Sequence, residues 1–244
     1  MPDYLQMNQV RLLFGVLVKP VSSLRTIAGR PSALVPYLIF LLLCVPASLV
    51  LVRKVDWTAT YQRQITQDSP GPTSSDTPVS ERSQLITARV ERVHKYGVVV
   101  YVLQNAVIVL AAGFFFWLTF NALLGAGIRY STVLSVVCYA LAPLMLGLCY
   151  LAIALSFRPD ASVDVQRILP SSLAYYFPLS AAPWLVELGN SLEFLWIWTL
   201  VLIAVGMREA SPRKPSPLAS FGAVFGLWVL WVVAKVGWAG LFGL

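Results

Sequence analysis

Residues 131–157, STVLSVVCYALAPLMLGLCYLAIALSF, run for 27 residues without one Asp, Glu, Lys, Arg or His. As a helix rising 1.5 Å per residue such a stretch is about 40 Å long, more than the roughly 30 Å hydrocarbon core of a bilayer requires. It lacks the polar/apolar alternation of a barrel strand, and an open sheet cannot satisfy its backbone in lipid. It therefore reads as a membrane-spanning helix. Four further windows have the same character: 33–52, 97–124, 191–207 and 218–242. Of these, 191–207 is the shortest and contains Glu193, and 218–242 contains Lys235 near its far end. The composition agrees: 58% of the 244 residues are apolar and 12% charged, with a mean hydropathy of +0.73. An ordinary soluble domain carries about twice that share of charge. The fold class expected is all-α, a polytopic bundle of five transmembrane helices.

The net charge of +7, from 18 Lys and Arg against 11 Asp and Glu, excludes no membrane role and does not make a nucleic-acid binder of a chain this apolar. In a membrane protein it orients the spans and meets anionic headgroups. Residues 1–32 hold Arg11, Lys19, Arg25 and Arg30 against Asp3, with Leu12, Leu13, Val16 and Leu17 at helical spacing. This pattern predicts an interfacial amphipathic helix on the cytoplasmic face, broken near Pro20. Residues 33–244 form the five-span domain. Within its first extramembrane loop, 66–80 is a Pro/Ser/Thr/Gly-rich flexible linker, after which Thr77 and Pro78 open a polar helix to about Lys95. Residues 158–190, with Tyr175, Tyr176, Phe177 and Trp184, have the aromatic content of an interfacial segment. If the N-terminus is cytoplasmic, that side holds 8 cations in about 50 residues and the other 9 in nearly 80. Density places the N-terminus inside and, after five spans, the C-terminus outside. Arg89, Arg92 and Lys95 argue the other way.

Reactive constellations are scarce. Cys44, Cys138 and Cys149 fall in apolar windows and read as small buried residues, not as a disulfide pair or a metal site. His94 stands alone in a charged helix as a surface histidine. The sequence contains no H-E-x-x-H, no phosphate-cradling glycine loop and no pair of intramembrane acids. No catalytic residue, metal or cofactor is expected. The 12–18 apolar run, cut short by Lys19 and Pro20 and without a cleavage site, is not expected to be a signal peptide.

Polar groups inside the windows are costly in lipid and turn inward. Gln104, Asn105 and Asn121 are candidates for bonds across helices, worth about 0.6–2 kcal/mol each. Glu193 and Lys235 come to similar depth on antiparallel helices, where they either pair or snorkel separately to the interface. Gly222 and Gly226 form a G-x-x-x-G spacing suited to close helix packing, within the bundle or at a dimer seam. Pro46 and Pro143 remove backbone donors and are expected to kink their helices.

The strings NALLGAGIRYSTVLSVVCYALAPLMLG (121–147) and SLEFLWIWTLVLIAVG (191–206) resemble the Yip domain family, five-span membrane proteins named for their interaction with Ypt/Rab GTPases. The positions that carry the resemblance are Asn121, Gly125, Tyr139, Ala140, Pro143, Gly147, Glu193, Trp198 and Gly206. Leu195 departs from a frequent phenylalanine. KPVSSLRTIAGRPS (19–32) and GLWVLWVVAKVGWAGL (226–241) are similar to compact prokaryotic members. The resemblance implies a cytosolic N-terminus, a C-terminus across the membrane and, for a prokaryotic-type member, the inner (plasma) membrane. The long N-terminal region of eukaryotic relatives, with its D-L-Y-G-P-like motif, has no counterpart in residues 1–32, so a Rab-type GTPase is not an expected partner. The expected function is non-enzymatic: assembly with itself or other membrane proteins, or organisation of membrane lipids and traffic. The alternatives are a small transporter or lipid-moving protein using the buried polar residues, and an accessory subunit of a larger membrane complex.

Overall fold

A computed structural model describes residues 2–68, 79–157, 170–178 and 181–242. Most of the expected 66–80 linker, with Thr77 and Pro78, lies outside these residues, as does 158–169 of the aromatic segment. The described chain is helical throughout. Its elements are α1 (Pro2–Val18), α2 (Pro20–Gly29), α3 (Leu34–Lys54), α4 (Trp57–Asp68), α5 (Val79–Leu124), α6 (Tyr130–Ala140), α7 (Ala142–Ser156), a 3-10 turn (Leu173–Tyr176), α8 (Pro183–Ser191), α9 (Phe194–Ala210) and α10 (Pro217–Phe242). No strand occurs among the described residues; Ser172 and Glu193 form an isolated bridge.

Four helical segments are long and apolar enough to cross a membrane: Leu34–Lys54, Glu81–Leu124, Tyr130–Ser156 and Pro217–Ala239. The 191–207 window is realised as α9, whose 17 residues span about 25 Å. The second window differs from expectation in extent. Instead of a polar helix ending near Lys95 and a separate span, α5 is one helix of 46 residues, roughly 69 Å long and about twice the thickness of a hydrocarbon core. Nothing between 79 and 124 forces a break: the stretch has no proline, and Gly97 and Gly113 each cost only about 1 kcal/mol.

The two prolines behave differently. α3 continues through Pro46, whereas the 131–157 window divides at Leu141, which takes φ −71° and ψ −2°. A proline at 143 cannot donate to the carbonyl of Tyr139, and its ring crowds that turn. The ladder resumes when Met145 N donates to the Leu141 carbonyl at 2.9 Å. α4 was not anticipated. It opens where Asp56 Oδ1 accepts from Ala59 N at 3.0 Å, an N-cap that satisfies one of the free first-turn donors.

The chain forms two compact units, 1–44 with 102–149 and 194–231, and 45–101 with 150–193 and 232–244. The first is built around α9. Here α2 packs against α9 and α6, and α1 against α2 and α6. Val16, Leu24 and Ile27 are fully buried, as are Val133, Val136 and Val137 of α6 and Leu202 and Met207 of α9. The N-terminal segment is two helices that meet at Pro20, and part of the apolar face expected to rest on the membrane, Leu13 and Val16, is packed into the protein. What α1 leaves exposed is another row, Val10, Phe14 and Val18 at i, i+4, i+8. The close approach of α2, α6 and α9 depends on Gly206, where a Cβ would collide with Val136 and stand 3.2 Å from Leu24 Cδ2.

In the second unit α8 packs against the 3-10 turn, with Ala174 and Val186 buried between them. Arg89 of α5 lies 5.8 Å over the Tyr61 ring of α4, a cation–π contact.

Gly206→Leu is expected to cost about 1–3 kcal/mol by overpacking the crossing, read as a lower melting temperature of the detergent-purified protein. Gly226→Leu, with nothing within 4 Å of its added Cβ, is expected to leave monomer stability unchanged. Equal losses would remove Gly206 from its assigned role.

Candidate functional site

The polar side chains of the first unit converge on backbone, chiefly where a helix stops. After Leu124 the chain turns through 125–129 with Gly125 at φ +55° and Gly127 at φ +67°, conformations that favour glycine. Asn121 clips this turn from both sides: Nδ2 donates to the Ile128 carbonyl at 3.0 Å and Oδ1 accepts from Ile128 N at 2.9 Å. Trp117 Nε1 donates to the same carbonyl at 3.0 Å. Ala126 N donates to the Phe120 carbonyl at 3.1 Å, and Ser211 Oγ donates to the Ala126 carbonyl at 3.4 Å. Asn121 therefore bonds to the turn that follows its own helix, in place of the cross-helix bond expected. Across helices the donors are tyrosines, Tyr37 to the Ala106 carbonyl and Tyr130 to the Leu110 carbonyl, both at 3.1 Å. Gln104 is exposed and Asn105 half-buried.

At the same end, Glu209 is the acid of a tight cluster. Arg25 Nε donates to its Oε2 at 2.8 Å and Arg208 Nη1 to its Oε1 at 3.2 Å; the Glu209 side chain is only 3% exposed. The pair joins α2 to α9. Two cations on one shielded carboxylate remove the penalty that an unpaired charge would carry there.

In the second unit the expected Glu193–Lys235 pair does not form. Lys235 Nζ approaches Glu187 Oε2 of α8 at 2.5 Å, with both side chains partly exposed. Glu193 lies in the bend between α8 and α9, outside both helices, and its Oε1 accepts from the Ser171 hydroxyl at 3.1 Å. Nearby, Ser172 caps the 3-10 turn by accepting from Ala174 N at 3.2 Å and reaches the Gly189 carbonyl at 3.1 Å. The physical reason for the changed pairing is helical phase and length. α9 begins only at Phe194, so Glu193 belongs to a bend closed against Ser171 and Ser172. Glu187, one helix earlier, is the acid presented to α10.

Gly222 and Gly226 have nothing within 4 Å of where a Cβ would stand; they are not packed against another described helix. Pro143 is buried. Among the described residues no group of three or more His, Cys, Asp or Glu side chains is placed to hold a metal ion. Cys44 and Cys138 are buried as free thiols, and His94 is exposed.

The Yip1 domain model matches residues 14–238, nearly the whole chain. The protein belongs to the Yip1 domain family. No curated protein and no solved structure matches it. As a Yip1-domain chain with four long apolar helices, it is an integral, multi-pass membrane protein. The positions that carry the Yip1 resemblance have structural work in this fold. Asn121 closes the 125–129 turn, Gly125 turns it, and Tyr139 and Ala140 are buried in α6. Leu195 lies against Gly147, and Gly206 admits α2 and α6 to α9. Three contacts went unanticipated: Arg25 with Glu209, Lys235 with Glu187, and Trp117 with Ile128. The run Arg208-Glu209 at the end of a window is a visible signal for the first, since an acid among cations at a membrane edge needs a partner. No local pattern marks the other two.

Two outcomes test these contacts. Asn121→Ala removes both clips and is expected to cost about 1–3 kcal/mol, seen as a lower unfolding midpoint. In a double-mutant cycle, Lys235→Met with Glu187→Gln should show a coupling of about 1 kcal/mol, whereas Lys235→Met with Glu193→Gln should be additive.

Proposed function

We propose that this Yip1-domain protein is a non-enzymatic membrane organiser that acts by assembling with itself in the bilayer, through its helical bundle and basic face. The observation that supports assembly most directly is the open face of α10. Gly222 and Gly226 leave their flank bare, and Leu218, Val229, Leu230 and Val233 are exposed along the same helix. Small residues on an apolar helix allow a second helix to approach closely enough for dispersion and Cα–H contacts, the main attractions left when lipid competes for apolar surface. The polar residues that a transport path would require are engaged elsewhere: Asn121 with Ile128, Glu193 with Ser171, Lys235 with Glu187.

In this proposal α9 is the fifth crossing, short but continuous with the buried bend at Glu193, and the N-terminus is cytoplasmic with the C-terminus opposite. The basic density around α1, α2, 125–129 and 211–216 supports that orientation.

In native membranes, single cysteines placed at 222 or 226 in a background lacking Cys44, Cys138 and Cys149 are expected to crosslink between copies, with little crosslinking from 224, which is buried. With the cysteine at 222, Gly226→Ile should abolish the crosslinked dimer without lowering the melting temperature, since nothing lies within 4 Å of the added side chain's Cβ in the monomer. A protein that stays monomeric across a range of lipid ratios would overturn self-assembly. Reporter fusions at both termini that give the same side would overturn the five-crossing topology.

A further inference from the structure

Most of the net charge of the chain lies in one of its two units. Residues 1–44, 102–149 and 194–231 contain eight Lys and Arg against Asp3 and Glu209, a balance of +6. The remaining residues contain ten against nine, a balance of +1. All eight cations of the first unit sit in α1–α2, in the 125–129 turn or at the junction of α9 and α10. These elements are tied to one another by Arg25 with Glu209 and by Ser211 with Ala126.

The cations of that end are not equivalent. Arg25 and Arg208 are engaged by the Glu209 carboxylate. Arg129, Arg213 and Lys214 are exposed and make no salt bridge among the described residues, Lys214 acting on Glu209 only through longer-range attraction. Their loop is stiff. Pro212, Pro215 and Pro217 restrict φ along it, Lys214 N donates to the Ser211 carbonyl at 3.1 Å, and Arg208 Nε donates to the Pro215 carbonyl at 3.3 Å. The Arg213 guanidinium rests on the 125–129 turn, where a Cβ at Gly125 would stand 2.7 Å from its Nη1. Charge held on two mutually braced turns loses little entropy when it binds.

Depth selects the ligand. The 125–129 turn follows the last apolar residues of α5 and precedes α6, and the 211–216 loop precedes α10, so the topology proposed above puts both just past the hydrocarbon, at the level of lipid phosphates. Trp117 and Tyr130, in edge-to-face contact at 6.5 Å, mark the same level, where aromatic side chains favour the interface. On α1 the exposed Phe14 and Val18 (61% and 78% exposed) are placed to enter the acyl boundary beside a basic surface, the pattern of a helix that lies on an anionic leaflet.

We infer that the 125–129 turn and the 211–216 loop form a headgroup site selective for anionic phospholipid, engaged through Arg129, Arg213 and Lys214. The inference rests on the membrane-organising role proposed above and names its lipid partner. It assigns selectivity to three cations and not to the basic character of the chain as a whole.

The test uses the full-length protein in phosphatidylcholine bilayers containing trace spin-labelled phosphatidylglycerol or phosphatidylcholine, comparing their relative association with the protein. The wild type is expected to favour phosphatidylglycerol by about fivefold or more, since each cation near the surface contributes several-fold, with a smaller preference at 1 M salt. R129Q/R213Q/K214Q should bring the ratio close to one, and the charge-conserving R129K/R213K/K214R should keep most of it, both with wild-type melting. R53Q/R92Q, which removes exposed cations of the other unit, should leave the ratio unchanged. A wild-type ratio near one, a preference untouched by the triple Gln variant, or an equal loss in R53Q/R92Q would each overturn the site. Intersubunit crosslinking measured on the same samples separates the two proposals: lost lipid preference with intact crosslinking defeats only this one, and the reverse defeats only self-assembly.

Discussion

A peptide group in hydrocarbon finds no water, and leaving its N–H or C=O unbonded costs several kcal/mol. Most of what this chain does with its polar side chains follows from that penalty. The long windows are helices because a helix satisfies its backbone internally. At several helix ends side chains take over abandoned carbonyls and amides: Asn121 and Trp117 at Ile128, Ser211 at Ala126, Ser172 at Ala174 and Gly189. Asn121, Ser172 and Ser211, which stand out as polar against an apolar background, are thereby accounted for as closures of turns.

Charge follows a related economy. Glu209 is shielded but held by two guanidinium groups, and Lys235 meets Glu187, so the acids near the ends of the apolar helices serve to join elements. The Arg25 contact matters most for shape because it closes α2 onto α9 at one end of a seam that Gly206 permits at close range. With the N-terminal helices committed to the bundle, the row Val10, Phe14, Val18, with Val21 of α2, is left exposed. Protein packing on one side of α1 and lipid contact on the other are compatible because 3.6 residues per turn send the two rows to different faces.

The same separation applies to α10. Val224 is buried while Gly222 and Gly226 stand open, so one helix both packs within its own unit and presents a flat flank outward. A Yip1-domain protein built this way has its recognisable positions in the interior, at the 125–129 turn and along α6 and α9. The surfaces proposed to meet other molecules are the open flank of α10 and the basic turns.

Sequence by itself determined the class of the protein. Long uncharged windows admit only helices in a bilayer, and the ordered residues from Asn121 to Gly206 point to the Yip1 family. These are local or one-dimensional properties: length, hydropathy and spacing. Tertiary structure alone decided who touches whom. Glu193 and Lys235 seemed matched by depth, but pairing depends on helix phase and on where α9 starts, neither of which is set within either segment. Asn121 carries no mark in sequence that separates a turn clip from a cross-helix bond. Gly222 and Gly226 have the same spacing whether packed or bare, since what fills the space beside a glycine is supplied by another part of the chain.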